Sequence, residues 1–285
     1  MNKKILAVMG ISGAIMLGSV YSISANTSGY ELYKSALKQT HEANSATVSV
    51  NFALEDNDKK LFSGDVVMKS DTEKQVNSIS TKLMTKTESS SMNMYKQQGK
   101  WFMEKLGGEV IYEMDASNPH QNRTNELQDD MENLIDVATK NLQQQITVDP
   151  AKNGSYKVEL DLTGKEIPLT ANAISSLMIK HSVMIQDKYD QKGSDFHLTP
   201  TLPELDHDIS VKQMKISANV NKENYVDKQE VKVVVVGKDV NGKAHELILS
   251  FNLEVTDYNK TLVAPTEIAK EKVEKLDMKH GHGSR

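Results

Sequence analysis

The sequence contains no cysteine, and this absence excludes several kinds of site at once. Without a thiol among its 285 residues, the chain cannot form a disulfide framework, a thiolate metal site or a cysteine nucleophile, nor can it carry a lipid on an N-terminal cysteine. Aromatic residues are also scarce, at 5% with a single Trp. A binding cavity in this protein would therefore be lined mainly by Val, Leu, Ile and Met.

Positive charge is in deficit as well. The formal net charge is −5, and no cluster of Lys and Arg stands out along the chain. Nucleic-acid-binding proteins concentrate these residues because they displace the counterions of the phosphates, so we expect no nucleic-acid partner. The 38% of hydrophobic residues indicates a globular chain that is only modestly apolar, and the length suffices for a core that needs no disulfide.

The N-terminus has the pattern of a secretory signal. Lys3 and Lys4 precede a run without charge over residues 5–23, and the small residues Ser24 and Ala25 follow it. Cleavage after either small residue fits this pattern. Alternatively, the run is kept as a membrane anchor, since its roughly 19 residues almost reach across a hydrocarbon core. Both interpretations predict an extracytoplasmic protein, either secreted or membrane-anchored.

Apolar and polar residues alternate along much of the chain, which is the period of half-buried strands. A helical period occurs instead over 29–42, 122–144 and 169–186. We expect an irregular connector over 193–208 and a Lys/Glu-rich helix over 266–279. The predicted strands span 48–54, 62–68, 75–84, 88–97, 100–114, 155–162, 214–220, 230–236 and 247–255, with turns at 55–58 and 241–242.

This order of elements predicts an α+β fold, in which a curved antiparallel sheet, or half-barrel, carries two or three helices on its concave face. The N-terminal strands should form an antiparallel meander. We expect a signal peptide or anchor over 1–25, one domain over 26–263, and a charged helix with a flexible, His-containing tail over 264–285. Cleavage of the signal would remove two lysines and bring the formal net charge to −7.

Three parts of the chain carry a family resemblance. They are the opening SGYELYKSALKQTHEANSATVSVNFAL, the central predicted helices, and the ending VKQMKISANVNKENYVDKQEVKVVVVGKDVNGKAHELILSFNLEVTDYN. In element order and style they resemble exported LolA/LppX-like proteins, in particular a Gram-positive branch, over most of residues 29–263. The resemblance implies a half-barrel whose helices pack into its concave side and leave an apolar cavity for acyl chains. Relatives of this kind also include sensor domains that regulate anti-sigma factors.

The residues by themselves also favour an apolar ligand. A curved sheet with one apolar face needs helices to cover that face, and incomplete cover leaves a pocket. The 14 methionines supply adaptable apolar surface. We take Phe52, Met68, Leu249 and Phe251 as the candidate ligand-binding residues. The alternative is that the apolar stripe is plain core, as such stripes commonly are.

Signatures of catalysis are missing. The sequence has no G-x-S-x-G, H-E-x-x-H or G-x-x-x-x-G-K-[ST] motif. The Asp-His-Asp run at 206–208 joins an imidazole to carboxylates, but neighbours on a strand point to opposite faces, so we expect an exposed run. His280 and His282 offer two metal ligands on a mobile tail, and Asp56 and Asp58 begin a calcium-like loop that two lysines interrupt. We therefore expect no enzyme, no metal site and no cofactor.

Two functions are compatible with these expectations. The first is a non-enzymatic extracytoplasmic binding protein for a lipid or another apolar small molecule. The second is an envelope sensor or interaction domain with a filled core, which meets a protein partner through an open sheet edge or the acidic helix around Asp129 and Glu132. A hollow concave face would favour the first function and a solidly packed one the second.

Overall fold

The structure, a computed structural model, describes residues 29–114, 145–168, 203–268 and 272–275. The α-helix, α1, spans Gly29–His41, and it is followed by β1 Ser45–Asp56, β2 Lys59–Asp71, β3 Val76–Thr85, β4 Ser89–Gln97, β5 Lys100–Lys105 and β6 Ile111–Met114. After the first gap come β7 Thr147–Pro150, β8 Tyr156–Thr163, β9 Leu205–Val220, β10 Val226–Asp239, β11 Ala244–Thr256 and β12 Val273–Lys275. Two 3-10 turns, Lys152–Gly154 and Gly164–Glu166, flank β8.

The 12 strands form one open, half-barrel-like sheet in the order β12-β6-β5-β4-β3-β2-β1-β11-β10-β9-β8-β7. Strands β1 to β6 are neighbours in sequence and in space, which confirms the predicted antiparallel meander. The C-terminal hairpins continue the sheet because β11 pairs with β1 along almost its whole length. The sheet is mixed, since β12 lies parallel to β6.

The β1–β2 hairpin turns through Asn57 and Asp58, which have φ values of 48° and 64°. Positive φ at both central residues gives a turn whose twist matches that of the flanking strands, and Asn and Asp tolerate it better than other side chains. A turn is confirmed in the second half of the predicted 55–58, whereas Glu55 and Asp56 still belong to β1. The predicted turn at 241–242 is confirmed as well, with Gly242 at a φ of 80°.

One side of the sheet is apolar and the other is polar. Residues that pair directly across an antiparallel ladder point to the same side, so the register assigns each side chain to a face. The apolar face carries Val50 of β1 with its partners Leu253 and Val66. The polar face carries the next residue, Asn51, whose side-chain amide donates to Asp65 at 2.7 Å. This two-residue period explains why the sequence alternates.

Helix α1 covers the apolar face where β8, β9 and β10 meet. Its residues Ala36 and Leu37 are buried against Val158, Ala218, Val220 and Val226. The start of the helix lies against β7, because a Cβ added to Gly29 would stand 2.6 Å from Cγ2 of Val148. The predicted helix over 29–42 is therefore confirmed.

The chain after β11 crosses the sheet to reach its far edge. Backbone and side-chain contacts tie this segment to the strands that it passes: the N–H of Asn259 donates to the carbonyl of Ser45 at 2.7 Å, and Gln97 exchanges two 2.9 Å hydrogen bonds with the backbone of Thr266. The segment then enters β12 beside β6. The helix predicted over 266–279 is wrong in this part, because Val273–Lys275 is a strand.

The predicted fold class needs correction. The described residues are not an α+β arrangement with two or three helices on a concave face, since they form a mixed 12-stranded sheet with one helix. The half-barrel-like sheet itself is present. The helices predicted at 122–144 and 169–186 fall outside the described residues, as do the N-terminal segment 1–25 and the His280–His282 tail.

Several strand boundaries also differ from the prediction. The single strand expected over 100–114 is two strands, β5 and β6, joined by a turn. Strand β9 begins at Leu205, inside the expected connector, and runs for 16 residues. Strand β7 was not predicted, because its four residues Thr147–Pro150 carry only one large apolar side chain.

Candidate ligand-binding face

The candidate site is the part of the apolar face formed by β1 to β6 and β11, which we call the meander face. Its side chains stand in cross-strand rows fixed by the register. One row runs Val255, Val48, Met68, Ile79, Met94, Met103 and Tyr112, and the next runs Leu253, Val50, Val66, Thr81, Met92 and Lys105. Most of these apolar side chains belong to one buried cluster.

All four predicted binding residues lie on the meander face. Phe52 and Phe251 pair across β1 and β11, and their ring centroids are 6.1 Å apart. Leu249 is two residues along β11 and pairs with Leu54. Phe52 and Phe251 are buried, whereas Met68 and Leu249 are only partly buried. The structure thus brings the four residues onto one surface.

Phe52 occupies space that a glycine leaves open. Its partner on β2 is Gly64, and a Cβ at that position would stand 2.4 Å from Cζ of Phe52 and 2.9 Å from Cδ2 of Leu83. The edge of the ring therefore lies close to the β2 backbone at Gly64, and Phe62 packs beside it with ring centroids 5.6 Å apart. Gly64 is required here for a close approach rather than for a turn.

Four methionines lie together on the part of the meander face that is formed by β2, β4 and β5. Met68, Met92, Met94 and Met103 come from β2, β4 and β5, and three of them are buried, Met94 to 3% exposure. Methionine is unbranched and polarizable, so it adapts to irregular shapes better than Val or Ile. This cluster, the methionine patch, was not singled out by the sequence prediction, which had named only Met68 of the four.

One polar residue stands inside the methionine patch. Thr81 lies between Val66 and Met92 in the second row and is 5% exposed. Its hydroxyl oxygen is buried and has no hydrogen-bond partner. Burying such a group without a hydrogen bond costs about 1–3 kcal/mol. The unsatisfied hydroxyl therefore distinguishes this position from its apolar neighbours.

A second polar residue on the apolar face has a hydrogen-bond partner for its side-chain oxygen. Gln229 of β10 is 3% exposed and accepts a 2.8 Å hydrogen bond from the hydroxyl of Tyr33 on α1. Burial raises the pKa of Tyr33, so the phenol remains a donor. Nearby, burial and then the charge of Asp227 raise the pKa of Tyr258, whose hydroxyl donates to the carbonyl of Val226. This end of the face is closed by specific hydrogen bonds.

The polar face presents a different kind of surface. It contains a depression of about 340 Å³ lined by Asn51, Lys228, Glu230, Asn252, Leu253 and Glu254. The lining is charged, and Lys228 already pairs with Glu230 at 2.6 Å. The depression therefore does not have the chemistry of the predicted apolar cavity.

The described residues contain one histidine held between two carboxylates. His245 donates from Nδ1 to the carboxylate of Asp56 at 2.9 Å, and its Nε2 lies 3.5 Å from Asp239. The pKa of Asp239 is lowered, first by the backbone N–H of Lys243 and partly by His245. The imidazole fills the centre of this cluster, and within the described ranges no group of three or more His, Asp and Glu could hold a metal ion.

The Asp-His-Asp run at 206–208 lies on the exposed start of β9. His207 contacts its neighbour Asp206 at 3.0 Å, while Asp208 pairs with Lys238 of β10 at 2.7 Å. Lys238 also lowers the pKa of Asp208 through this hydrogen bond. Asp206 and His207 thus contact each other while Asp208 pairs with Lys238, so the three residues do not converge on one point of this exposed surface.

No protein-family model matches the chain, and no curated protein matches it either. The resemblance to LolA/LppX-like proteins consequently stays a prediction. In the part of the chain that the structure describes, no helix is both long and apolar enough to cross a membrane.

Proposed function

We propose that this protein is a non-enzymatic binding protein for an apolar small molecule, a lipid with an acyl chain, and that the ligand lies on the meander face. The methionine patch carries the proposal. It places four adaptable side chains on one surface, which suits an acyl chain of variable length and bend. The half-barrel-like sheet supports a relation to LolA/LppX-like proteins.

The two ends of the apolar face support this choice of place. Among the described residues, α1 is the helix that packs on the face, and it does so over β8 to β10. The methionine patch lies on the other side of β1, over β2 to β5. A ligand on the meander face would therefore not compete with the packing of α1.

An extracytoplasmic location is part of the proposal. It rests on the signal-like pattern of residues 1–25. Fractionation of the native host, with immunodetection of the chain, tests it: we expect the protein in the medium or on the outer side of the membrane, shortened by about 25 residues if the signal is cleaved. Recovery of the uncleaved chain in the cytoplasm would contradict this part.

Ligand binding is tested by native mass spectrometry of the purified full chain and by titration with 12-(1-pyrenyl)dodecanoic acid, a fluorescent fatty acid. We expect co-purified acyl lipid and saturable binding of the probe. Absence of both would overturn the proposal and favour an envelope interaction domain with a filled core.

A matched pair of variants locates the site. Met68 points into the methionine patch, while the adjacent Val67 lies on the polar face and is 39% exposed. Met68→Gln keeps the size of the side chain but buries an amide against the ligand, and we expect it to weaken probe binding roughly tenfold. Val67→Gln should leave the affinity unchanged. Equal effects of both substitutions would place the ligand elsewhere.

A further inference from the structure

The hydroxyl of Thr81 has no partner available within the sheet. β3 is paired on both sides, with Thr81 opposite Val66 of β2 and opposite Met92 of β4. The ladders on both sides use the backbone N–H and C=O groups that surround it. The cross-strand neighbours on its own face are a Val and a Met, which offer no strong donor or acceptor.

Another buried polar residue on the same face does have a hydrogen-bond partner. Gln229 is as deeply buried as Thr81, and α1 supplies the hydroxyl of Tyr33 to satisfy it at 2.8 Å. Thr81 has no such partner. Buried hydroxyls in native proteins nearly always have a hydrogen-bond partner, so a group that binds to this face is the natural source of one.

We propose that the Thr81 hydroxyl anchors the ligand through a hydrogen bond to an oxygen next to its acyl chain, the carboxyl or ester carbonyl of a fatty acid or acyl lipid. This inference rests on the proposed function. A hydroxyl can donate to a carbonyl oxygen, and the methionine patch around it suits the chain. The row of Thr81 continues through Met92 of β4 and ends on β5 with Lys105.

The proposed hydrogen bond from Thr81, which we call the anchor, predicts different effects on probes with and without a carboxyl group. Thr81→Val removes the hydroxyl and keeps the branched shape, whereas Thr81→Ser keeps the hydroxyl. The probes are 12-(1-pyrenyl)dodecanoic acid and 1-dodecylpyrene, which share the chain and the ring system but differ in the carboxyl group. Both are titrated into the purified full chain and its variants.

We expect Thr81→Val to weaken binding of the acid roughly tenfold, the effect of one lost hydrogen bond, and to leave binding of dodecylpyrene unchanged. Thr81→Ser should bind the acid nearly as well as the parent chain. If Thr81→Val binds both probes as the parent chain does, the anchor is overturned and the proposed function stands. If the parent chain binds neither probe, the proposed function fails and the anchor with it.

Unfolding without ligand gives a second readout. Thr81→Val removes a buried hydroxyl that has no partner, so we expect its unfolding midpoint in urea to rise above that of the parent chain. A fall in the midpoint would show that the hydroxyl is satisfied within the folded protein, and this result would also overturn the anchor.

Discussion

The two ends of the apolar face are built differently. Where α1 lies over β8 to β10, packing is close and hydrogen bonds join the helix to β10: Ala36 and Val226 are fully buried, and Thr40 accepts a 2.9 Å hydrogen bond from the N–H of Val226. Over β2 to β5 the face carries flexible methionines and the unpartnered hydroxyl of Thr81. Both ends are buried, but among the described residues only the first is joined to a helix by hydrogen bonds, and the second is where we propose that the ligand lies.

The largest expected effect is on the α1 end. Leu37 is buried in the cluster beneath the helix, so Leu37→Ala leaves a cavity and should lower the free energy of unfolding by about 2–5 kcal/mol. Because the ligand is proposed to lie elsewhere, the affinity of the folded fraction for the fluorescent fatty acid should stay unchanged. Urea unfolding and probe titration at low temperature measure the two quantities.

The neighbouring residue provides the control for this change. Lys38 is exposed on α1, and Lys38→Ala should change stability by less than about 0.5 kcal/mol. A loss of probe affinity in Leu37→Ala at a temperature where it is fully folded would contradict the proposal that the ligand lies away from α1, since it would mean that α1 takes part in ligand binding.

A smaller effect is expected at Gly64 on the meander face. Gly64→Ala places a methyl group against the ring of Phe52, where the closest atom would be 2.4 Å away. The ring has to shift, and we expect a loss of about 1–3 kcal/mol in unfolding free energy together with weaker probe binding. Urea unfolding and fluorescence titration report the two changes.

Gly237 of β10 is the matched control, since it also lies in a strand. There the nearest atom to an added Cβ is Cδ1 of Leu205, at 3.1 Å, so this side chain has to give way by only a few tenths of an ångström. Gly237→Ala should therefore cost less stability than Gly64→Ala and should not alter probe affinity. The reverse order of effects would mean that Phe52 is free to move and does not form a fixed floor.

The sequence predicted most strands because each half-buried strand alternates, and Phe52, Met68, Leu249 and Phe251 do share one face. Alternation does not give register, however. Thr81 stands in a Ser/Thr-rich strand and resembles a surface residue until its partners Val66 and Met92 place it on the apolar face. The methionine patch was likewise invisible, because its members come from three strands whose order is a tertiary property.

The missed and misassigned elements have a common cause. The Lys/Glu-rich segment around Val273 has a helical composition, but pairing with β6 overrides that weak preference. The first residues of β9 are charged and exposed, so their strand character comes from the ladder with β10 rather than from their side chains. Local patterns identify faces, whereas long-range pairing decides where a strand starts and which strand lies beside it.

The smallest expected effects concern pH, and here a carboxyl group of β2 and one next to α1 should respond in opposite directions. At the end of β2, on the polar side of the sheet, the backbone N–H of Lys74 lowers the pKa of Asp71. A carboxyl whose pKa is lower in the folded state stabilises the protein above its unfolded pKa, near pH 4, and loses this contribution as the pH falls through the folded pKa. Near α1, burial raises the pKa of Asp227, so stability there declines as the pH rises from about 4 through the folded pKa.

Thermal unfolding from pH 3 to pH 7 compares Asp71→Asn with Asp227→Asn. Relative to the parent chain, Asp71→Asn should be less stable at pH 7 and Asp227→Asn more stable, and both differences should shrink towards pH 3. The same sign for both variants at pH 7 would contradict the electrostatic contrast between Asp71 and Asp227, because it would mean that burial and hydrogen bonding act alike on the two carboxyl groups.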